Sequence, residues 1–423
     1  MDRRVWPSRI AGSLRAPRSK SYTHRSLLIG LLADREFSIV NPQDCDDTRA
    51  TARGLRAFGA RIRLRPGRWV IEPERREPLP DRLRAVDCEA SGTTLRFLMA
   101  AAATRPVSVK FLGDRTLSAR PTADLERALA DAGATVRRPD PGRSVPVEVS
   151  GPMHSGTFTL PGSVSSQFVS ALLLTLPGLE GTSRLVVTGR RVSEPYVRAT
   201  LAILRDQGIQ VRRRRTEFVV AGRQRPLARV YRVPGDVSSA AFLLAAAALT
   251  GGKLRVIDLA TDRTQPDAAI LPLLRSFGAS VRVKEKVVTV EGVARRPFVA
   301  KMTDCPDLYP VAGVLAAFAP GVSRLTGGGH AAYKESDRLR STGALASAFG
   351  ARVRRRPDGL TVQSGVVPAR VRLQRLTDHR LVMAAAVGAL ALREPSSIGD
   401  AMAVRKSYPG FWRDLRTLGG RNR

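Results

Sequence analysis

LRAFGARIRL at 55–64, LADAGATVRR at 129–138, LRDQGIQVRR at 204–213, LRSFGASVRV at 274–283, ASAFGARVRR at 346–355 and DLRTLGGRNR at 414–423 are one pattern written six times. In each, the end of a helical pattern runs into a glycine, and in most an alternating strand pattern follows. The glycines are Gly59, Gly133, Gly208, Gly278, Gly350 and Gly419, at steps of 69 to 75 residues. Each fits the left-handed residue that closes a helix, a conformation glycine adopts without a Cβ penalty. Chance supplies one or two such matches; six at near-constant spacing mean an internal repeat.

A second series runs in phase with the first. SKSYTHRSLLIGLLA (19–33), SGTTLRFLMAAAA (91–103), SSQFVSALLLTL (165–176), DVSSAAFLLAAAAL (236–249), PDLYPVAGVLAAFA (306–319) and DHRLVMAAAVGALA (378–391) are apolar on all sides after a polar start. A helix of that kind belongs inside the fold, whereas the helix before each glycine is amphipathic and belongs at its surface. Each repeat thus reads as βαβαββ, an α/β (α+β) unit with one buried helix, and six such units make two domains of three. The last repeat is short of strands after Gly419, so the segment Arg4–Leu14 is expected to supply one. Residues 1–15 with 236–423 then form a discontinuous domain, and residues 16–235 are inserted into it.

Composition narrows the function. The formal net charge is +33, but the arginines are dispersed and aromatics make up only 5% of the chain, so no specific nucleic-acid partner is expected. No apolar run reaches the roughly 18–20 residues that span a membrane, no apolar leader opens the chain, and the three cysteines (Cys45, Cys88, Cys305) have neither zinc nor disulfide spacing. A cytoplasmic monomer without metal or cofactor is the expectation. Only eight of the 70 basic residues are lysines, among them Lys20, Lys334 and Lys406 inside polar motifs.

Those motifs sit at the starts of the buried helices, where free N–H groups and a partial positive charge favour anions. Plain capping accounts for one Ser or Asp per helix. It does not account for Lys20, Arg25, Gln167, His379 and Arg380 being packed there as well. With Arg120, Arg338 and Lys406, the cations suit multiply charged anionic substrates, and Asp307 and Glu335 add carboxylates for general acid/base work. No Walker loop, GxGxxG fingerprint or nucleophilic triad is present.

SKSYTHR (19–25), SGTTLRFL (91–98), GDRTLSARP (113–121), SSQF (165–168), SEPYV (193–197), GDVSSAAF (235–242), PDLYP (306–310), KESDRL (334–339), DHR (378–380) and KSYP (406–409) lie in one order along nearly the whole chain. In that set the chain resembles the 3-phosphoshikimate 1-carboxyvinyltransferases, or EPSP synthases. The resemblance implies a two-domain enolpyruvyl-transferase-like fold, with the buried-helix N-termini facing an interdomain cleft. It also implies transfer of the enolpyruvyl group of phosphoenolpyruvate to shikimate 3-phosphate. Lys20, Ser21, Arg25, Ser165, Ser166, Gln167, Ser193, Tyr196, Asp307 and Lys334 are the residues implied for shikimate 3-phosphate. Lys20, Gly92, Arg120, Gln167, Arg338, Arg380 and Lys406 are those implied for phosphoenolpyruvate. Asp307 is implied as the base for the 5-hydroxyl, and Glu335 with Lys20 for the methylene proton. With Gly92 present, competitive inhibition by glyphosate is expected.

The chain departs from the family pattern at Ala16-Pro17-Arg18, Glu89-Ala90 and Ala331-Ala332, none of which replaces an assigned residue. Two other readings compete. A UDP-N-acetylglucosamine enolpyruvyl transferase usually has a cysteine in the loop before Arg120, and Gly113–Arg120 has none. An RNA-end-processing protein of related fold would explain the charge but not the motifs.

Overall fold

The computed structural model describes residues 2–72, 83–259, 261, 264–292 and 294–423. All six repeat glycines have positive φ, from 73° at Gly208 to 109° at Gly278. The helices before them are Asp46–Gly54 with its 3-10 extension Leu55–Phe58, Ala123–Asp131, Glu194–Asp206, Ile270–Phe277, Arg338–Ala348 and Phe411–Thr417. The six apolar helices are Lys20–Leu32, Gly92–Ala103, Ser166–Thr175, Val237–Thr250, Tyr309–Phe318 and His379–Ala389. In Val237–Thr250 every residue except the last is buried, as a helix with no polar face must be.

The third repeat shows the common topology. Thr157–Pro161 runs parallel to Ser183–Thr188, and the buried helix Ser166–Thr175 makes the crossover that a parallel pair requires. Glu217–Val220 then pairs antiparallel with Ser183–Thr188, and Val211–Arg214 lies outside it at the edge. Among the described residues, five four-stranded sheets share this order, and a sixth sheet has three strands.

Three sheets borrow a strand from elsewhere in the chain. The sheet around Phe37–Val40 takes Val230–Arg232, and the sheet around Lys253–Ile257 takes Gly12–Arg15. The three-stranded sheet of the last repeat, Arg372–Leu373 and Ser396–Ile398, is completed by Arg3–Val5. The N-terminal segment therefore supplies two strands to two sheets where the sequence suggested one. Pro7 separates them, since a proline has no N–H to continue a ladder.

The chain divides into two compact units, Met1–Ser19 with Pro234–Arg423, and Lys20–Val233. Each has its own apolar core, one around Phe242, Val314 and Val382, the other around Leu28, Leu98 and Leu172. In the first unit the two passages of the chain lie together: Ser19 N–H donates to Pro234 O at 3.0 Å and Asp236 N–H to Pro17 O at 2.7 Å.

The positive charge has a structural address. One edge strand of each four-stranded sheet (Arg61–Arg65, Thr135–Arg137, Val211–Arg214, Ser280–Lys284, Arg352–Arg356) carries arginine or lysine at exposed positions. An open edge is a template for pairing with another chain, and like charge along it opposes that pairing. Replacing Arg352 and Arg354 together by valine should leave the melting temperature nearly unchanged, within the roughly ±0.5 kcal/mol usual for surface positions. It should also produce concentration-dependent aggregation, read by light scattering during heating. Scattering equal to that of the parent chain would remove this explanation of the charge.

Candidate active site

In the first unit, one guanidinium organises the polar cluster. Arg338 follows the cap residue Asp337, at the first turn of a surface helix, but its side chain turns inward and is 1% exposed. Its Nε donates to Asp378 Oδ2 at 3.0 Å, one terminal nitrogen to Glu335 Oε2 at 2.8 Å, and the other to Asp307 Oδ1. Burial alone would favour the neutral guanidine; Asp378, Asp307 and Glu335 outweigh it and raise the pKa well above the ordinary arginine value. Asp378 also caps the buried helix His379–Ala389, accepting from Arg380 N–H at 2.9 Å.

Asp307 lies in the 3-10 turn Pro306–Leu308 that leads into Tyr309–Phe318. Besides Arg338 it meets Arg380 at 2.8 Å and Lys334 Nζ at 3.8 Å. Burial pushes its carboxyl up, but Arg380, Arg338 and Lys334 push harder and hold it well below the usual aspartate value. Near it is a second acid, Asp267, 1% exposed, which accepts a hydrogen bond from Ser238 Oγ. Burial first, then the charge of Asp307, raises Asp267 to about 6. The pKa values of the two carboxyls are pushed in opposite directions, Asp307 down and Asp267 up. Lys406 ends the 3-10 helix Ala401–Lys406 and is half-buried.

In the other unit, Lys20 opens its helix and pairs with Asp47 Oδ2 at 2.7 Å. Arg25, one turn on, is 2% exposed and donates to Thr200 Oγ1 (2.8 Å), Ser21 O (2.8 Å), Tyr196 O (3.0 Å) and Ser170 Oγ (3.4 Å). Burial lowers its pKa to about 10, which leaves it charged at neutral pH. Gly92 follows the cap residue Ser91, and an added Cβ there would lie 2.7 Å from an Arg120 terminal nitrogen. Arg120 is therefore packed directly on the helix start. Gln167, capped by Ser165, accepts from Arg96 at 2.5 Å and donates to Thr93 Oγ1 at 3.0 Å. Ser193 has φ 55° at the head of Glu194–Asp206, the helix that presents Tyr196.

Residues 6–415 match the family model described as EPSP synthase (3-phosphoshikimate 1-carboxyvinyltransferase). The chain belongs to the EPSP synthase family. A 3-phosphoshikimate 1-carboxyvinyltransferase of Thermococcus kodakarensis is 40% identical over 410 residues, covering 97% of this chain and 98% of the relative. Its counterpart from Halobacterium salinarum is 38% identical over 427 residues, covering 99% of each. Among solved structures, an EPSP synthase of Acinetobacter baumannii superposes with TM-score 0.80 at 22% identity, over 100% of this chain and 99% of that one. The enolpyruvyl transferase NikO of Streptomyces tendae gives 0.78 at 20%, over 100% and 98%. These two likenesses establish the enolpyruvyl-transferase fold.

Within that family frame, the residues expected in the first unit divide. Asp307, Lys334, Glu335, Arg338 and Arg380 form one cluster. Arg338, expected at an anionic substrate, has each of its three nitrogens on a carboxylate. Lys334 and Glu335 lie between the 3-10 turn Gly329–Tyr333 and Arg338, because the helix does not start until the Asp337 cap. Cys45 is the cap residue of Asp46–Gly54, and Asp47, in the first turn of that helix, is the Lys20 partner. Asp236 caps Val237–Thr250 through Ser239 N–H, while Ser238 donates to Asp267. All three cysteines are buried thiols, and burial pushes that of Cys45 up to about 12.

Three residues were missed: Arg96, Asp47 and Asp267. A signal for the last two existed in the repeat phase. Asp47 and Asp267 precede their helix-closing glycines, Gly59 and Gly278, by twelve and eleven residues. Each binds the first turn of the buried helix in its own repeat, through Lys20 and Ser238.

The shifted Asp267 has a measurable sign. Its folded pKa of about 6 exceeds the ordinary 3.8, so its contribution to stability is full below the ordinary value and is lost as pH rises through about 6. Asp267→Asn removes that loss while keeping an acceptor for Ser238. The stability of the variant relative to the parent should therefore rise between about pH 4 and about pH 7. A difference independent of pH would show that Asp267 ionises normally.

Proposed function

We propose that the chain transfers the enolpyruvyl group of phosphoenolpyruvate to the 5-hydroxyl of shikimate 3-phosphate, giving 5-enolpyruvylshikimate 3-phosphate and phosphate. This is the reaction of the chorismate branch that leads to aromatic amino acids, and we place it in a cytoplasmic monomer. Family membership along nearly the whole chain is the observation that carries the reading. The charge arrangement supports it, because both substrates are polyanions that repel each other unless cations hold them.

In this reading Lys20, Ser21, Arg25, Ser165, Ser166, Gln167, Ser193, Tyr196, Asp307 and Lys334 hold shikimate 3-phosphate. Lys20, Gly92, Arg120, Gln167, Arg338, Arg380 and Lys406 hold phosphoenolpyruvate. The 5-hydroxyl oxygen adds to C2 of phosphoenolpyruvate as its proton leaves to Asp307, and C3 gains a proton delivered through Glu335 with Lys20. The product of addition is a tetrahedral ketal. Loss of a proton from the new methyl group then expels phosphate and restores the double bond.

Arg338 also holds Asp307 and Glu335, the two proton carriers, on one guanidinium. The charges of Arg380, Arg338 and Lys334 outweigh burial and favour the ionised form of Asp307 before reaction. They also make Asp307 a weak base until a substrate anion draws Arg380 or Lys334 away, and such a shift raises the basicity of the carboxylate when both substrates are present.

Phosphate release by the purified chain should require both substrates. Asp307→Ala should lower kcat by roughly 10²–10⁴-fold, the range for loss of a general base. Release from phosphoenolpyruvate alone, or full activity in the variant, would overturn the reading. Gly92→Ala should force the Arg120 guanidinium off the helix start, a steric cost of about 1–3 kcal/mol, and raise KM for phosphoenolpyruvate about tenfold or more. The same variant should be inhibited less by glyphosate, which is expected to compete with phosphoenolpyruvate in the parent chain. An unchanged KM would place phosphoenolpyruvate away from Gly92.

A further inference from the structure

Behind Lys20 and Gly92 lies a chain of buried hydroxyls with no assigned part in the reaction. His24 Nδ1 is 2.8 Å from Thr51 Oγ1, Thr51 Oγ1 is 2.7 Å from Thr94 Oγ1, and Thr94 Oγ1 is 2.7 Å from Ser91 Oγ. All four side chains are 0% exposed. They join three helices: His24 belongs to Lys20–Leu32, Thr51 to Asp46–Gly54, and Thr94 to Gly92–Ala103 with Ser91 as its cap. The longer contacts from Thr51 (3.4 Å) and Thr94 (3.2 Å) go to the carbonyl oxygen of Asp47, the partner of Lys20.

We propose that His24, Thr51 and Thr94 are positioning residues, a hydrogen-bond chain of fixed direction that runs from His24 Nδ1–H to Ser91 and sets the Gly92 helix start relative to Asp47 and Lys20. This rests on the enolpyruvyl-transfer reading, in which Gly92 and Lys20 hold phosphoenolpyruvate.

The direction follows from the one ring atom that has nothing to bond. His24 Nε2 is buried without a hydrogen-bond partner among the described residues. A proton on Nε2 would leave a buried donor unsatisfied, whereas a proton on Nδ1 leaves only an unused lone pair and gives Thr51 a donor. Each hydroxyl has a single proton. With His24 donating, Thr51 passes its proton to Thr94 and Thr94 passes its own to Ser91, so all three short contacts are used once. Ser91 Oγ is also the acceptor for Thr94 N–H at 3.2 Å, the bond that caps the helix. With the opposite direction, Thr51 would donate to the ring and the ring would need an acceptor at Nε2, where there is none. Burial holds the imidazole pKa down to about 3, so the ring is neutral and has one proton to place at neutral pH.

Two measurements on the full chain decide this. In protein labelled with ¹⁵N-histidine, the two-bond ¹⁵N–¹H correlation pattern of His24, assigned by its loss in His24→Asn, should be that of the Nδ1–H tautomer. Kinetically, His24→Leu and Thr94→Val each remove a link, and each should raise KM for phosphoenolpyruvate by roughly tenfold, the scale of one buried hydrogen bond, with KM for shikimate 3-phosphate changing by less than about twofold. His24→Asn, whose amide N–H sits where Nδ1–H was, should restore KM for phosphoenolpyruvate to within about threefold of the parent. Melting curves show which variants are folded, and Thr94→Val is nearly isosteric, so it remains informative if His24→Leu does not fold. An Nε2–H tautomer overturns the proposal. So does a folded Thr94→Val variant with an unchanged KM, or a His24→Asn variant no better than leucine. If the parent chain shows no turnover at all, it is the reaction that is refuted, and the tautomer still decides the chain.

Discussion

A helix that is apolar on every side has to be buried, yet its first turn brings amide groups that need partners. At four of the six buried helices a side-chain cap meets this demand. Ser91, Ser165, Asp236 and Asp378 accept from the first-turn amides of their helices, so the polar ends of otherwise apolar elements are already lined with oxygen atoms. The βαβαββ repeat follows from the same constraint. The buried helix is the crossover of a parallel strand pair, the amphipathic helix shields the other strands, and a glycine with positive φ lets the chain turn sharply from one to the next.

Buried charge is concentrated at these helix starts, and it is paired. Removing an arginine and three carboxylates from water is expensive, and the attraction among them compensates only when the geometry is good and the remaining donors are bonded. Arg338 meets that condition with each of its three nitrogens on a different carboxylate. The arrangement costs stability relative to an apolar core of the same volume, and what it provides is orientation. Asp307 and Glu335 are held in fixed directions by one planar group, and for Asp307 the charges of Arg380, Arg338 and Lys334 outweigh burial and hold the carboxyl well below its usual pKa.

The first repeats of the two units solve one problem with different residues. In each, an acid near the start of the surface helix reaches the first turn of the buried helix: Asp47 to Lys20, and Asp267 to Ser238. Asp47 forms an ion pair with its lysine partner at 2.7 Å. Burial and the nearby charge of Asp307 raise Asp267 to about 6, against the hydrogen bond from Ser238, which favours the ionised form. Equivalent positions in a duplicated framework have become an ion pair in one unit and a carboxyl of raised pKa in the other.

By itself the sequence determined the repeat, its period and its helix-closing glycines, because periodicity and left-handed backbone are properties of short segments. It also determined the family and the polar residues at the buried-helix starts, since ten motifs in order leave little else. Tertiary structure alone decided where the orphan strands go: Gly12–Arg15 and Arg3–Val5 join different sheets, and no local pattern names a strand's partner. Tertiary structure also decided which charges meet. Arg338 stands out in its motif as a cation, but its three carboxylate partners are visible only in the packed chain. The pairing of Asp47 with Lys20 is likewise visible only there. Pairing depends on side chains brought together across tens or hundreds of residues, and the depth of burial, which sets the cost of each unpaired charge, exists only once the chain has packed.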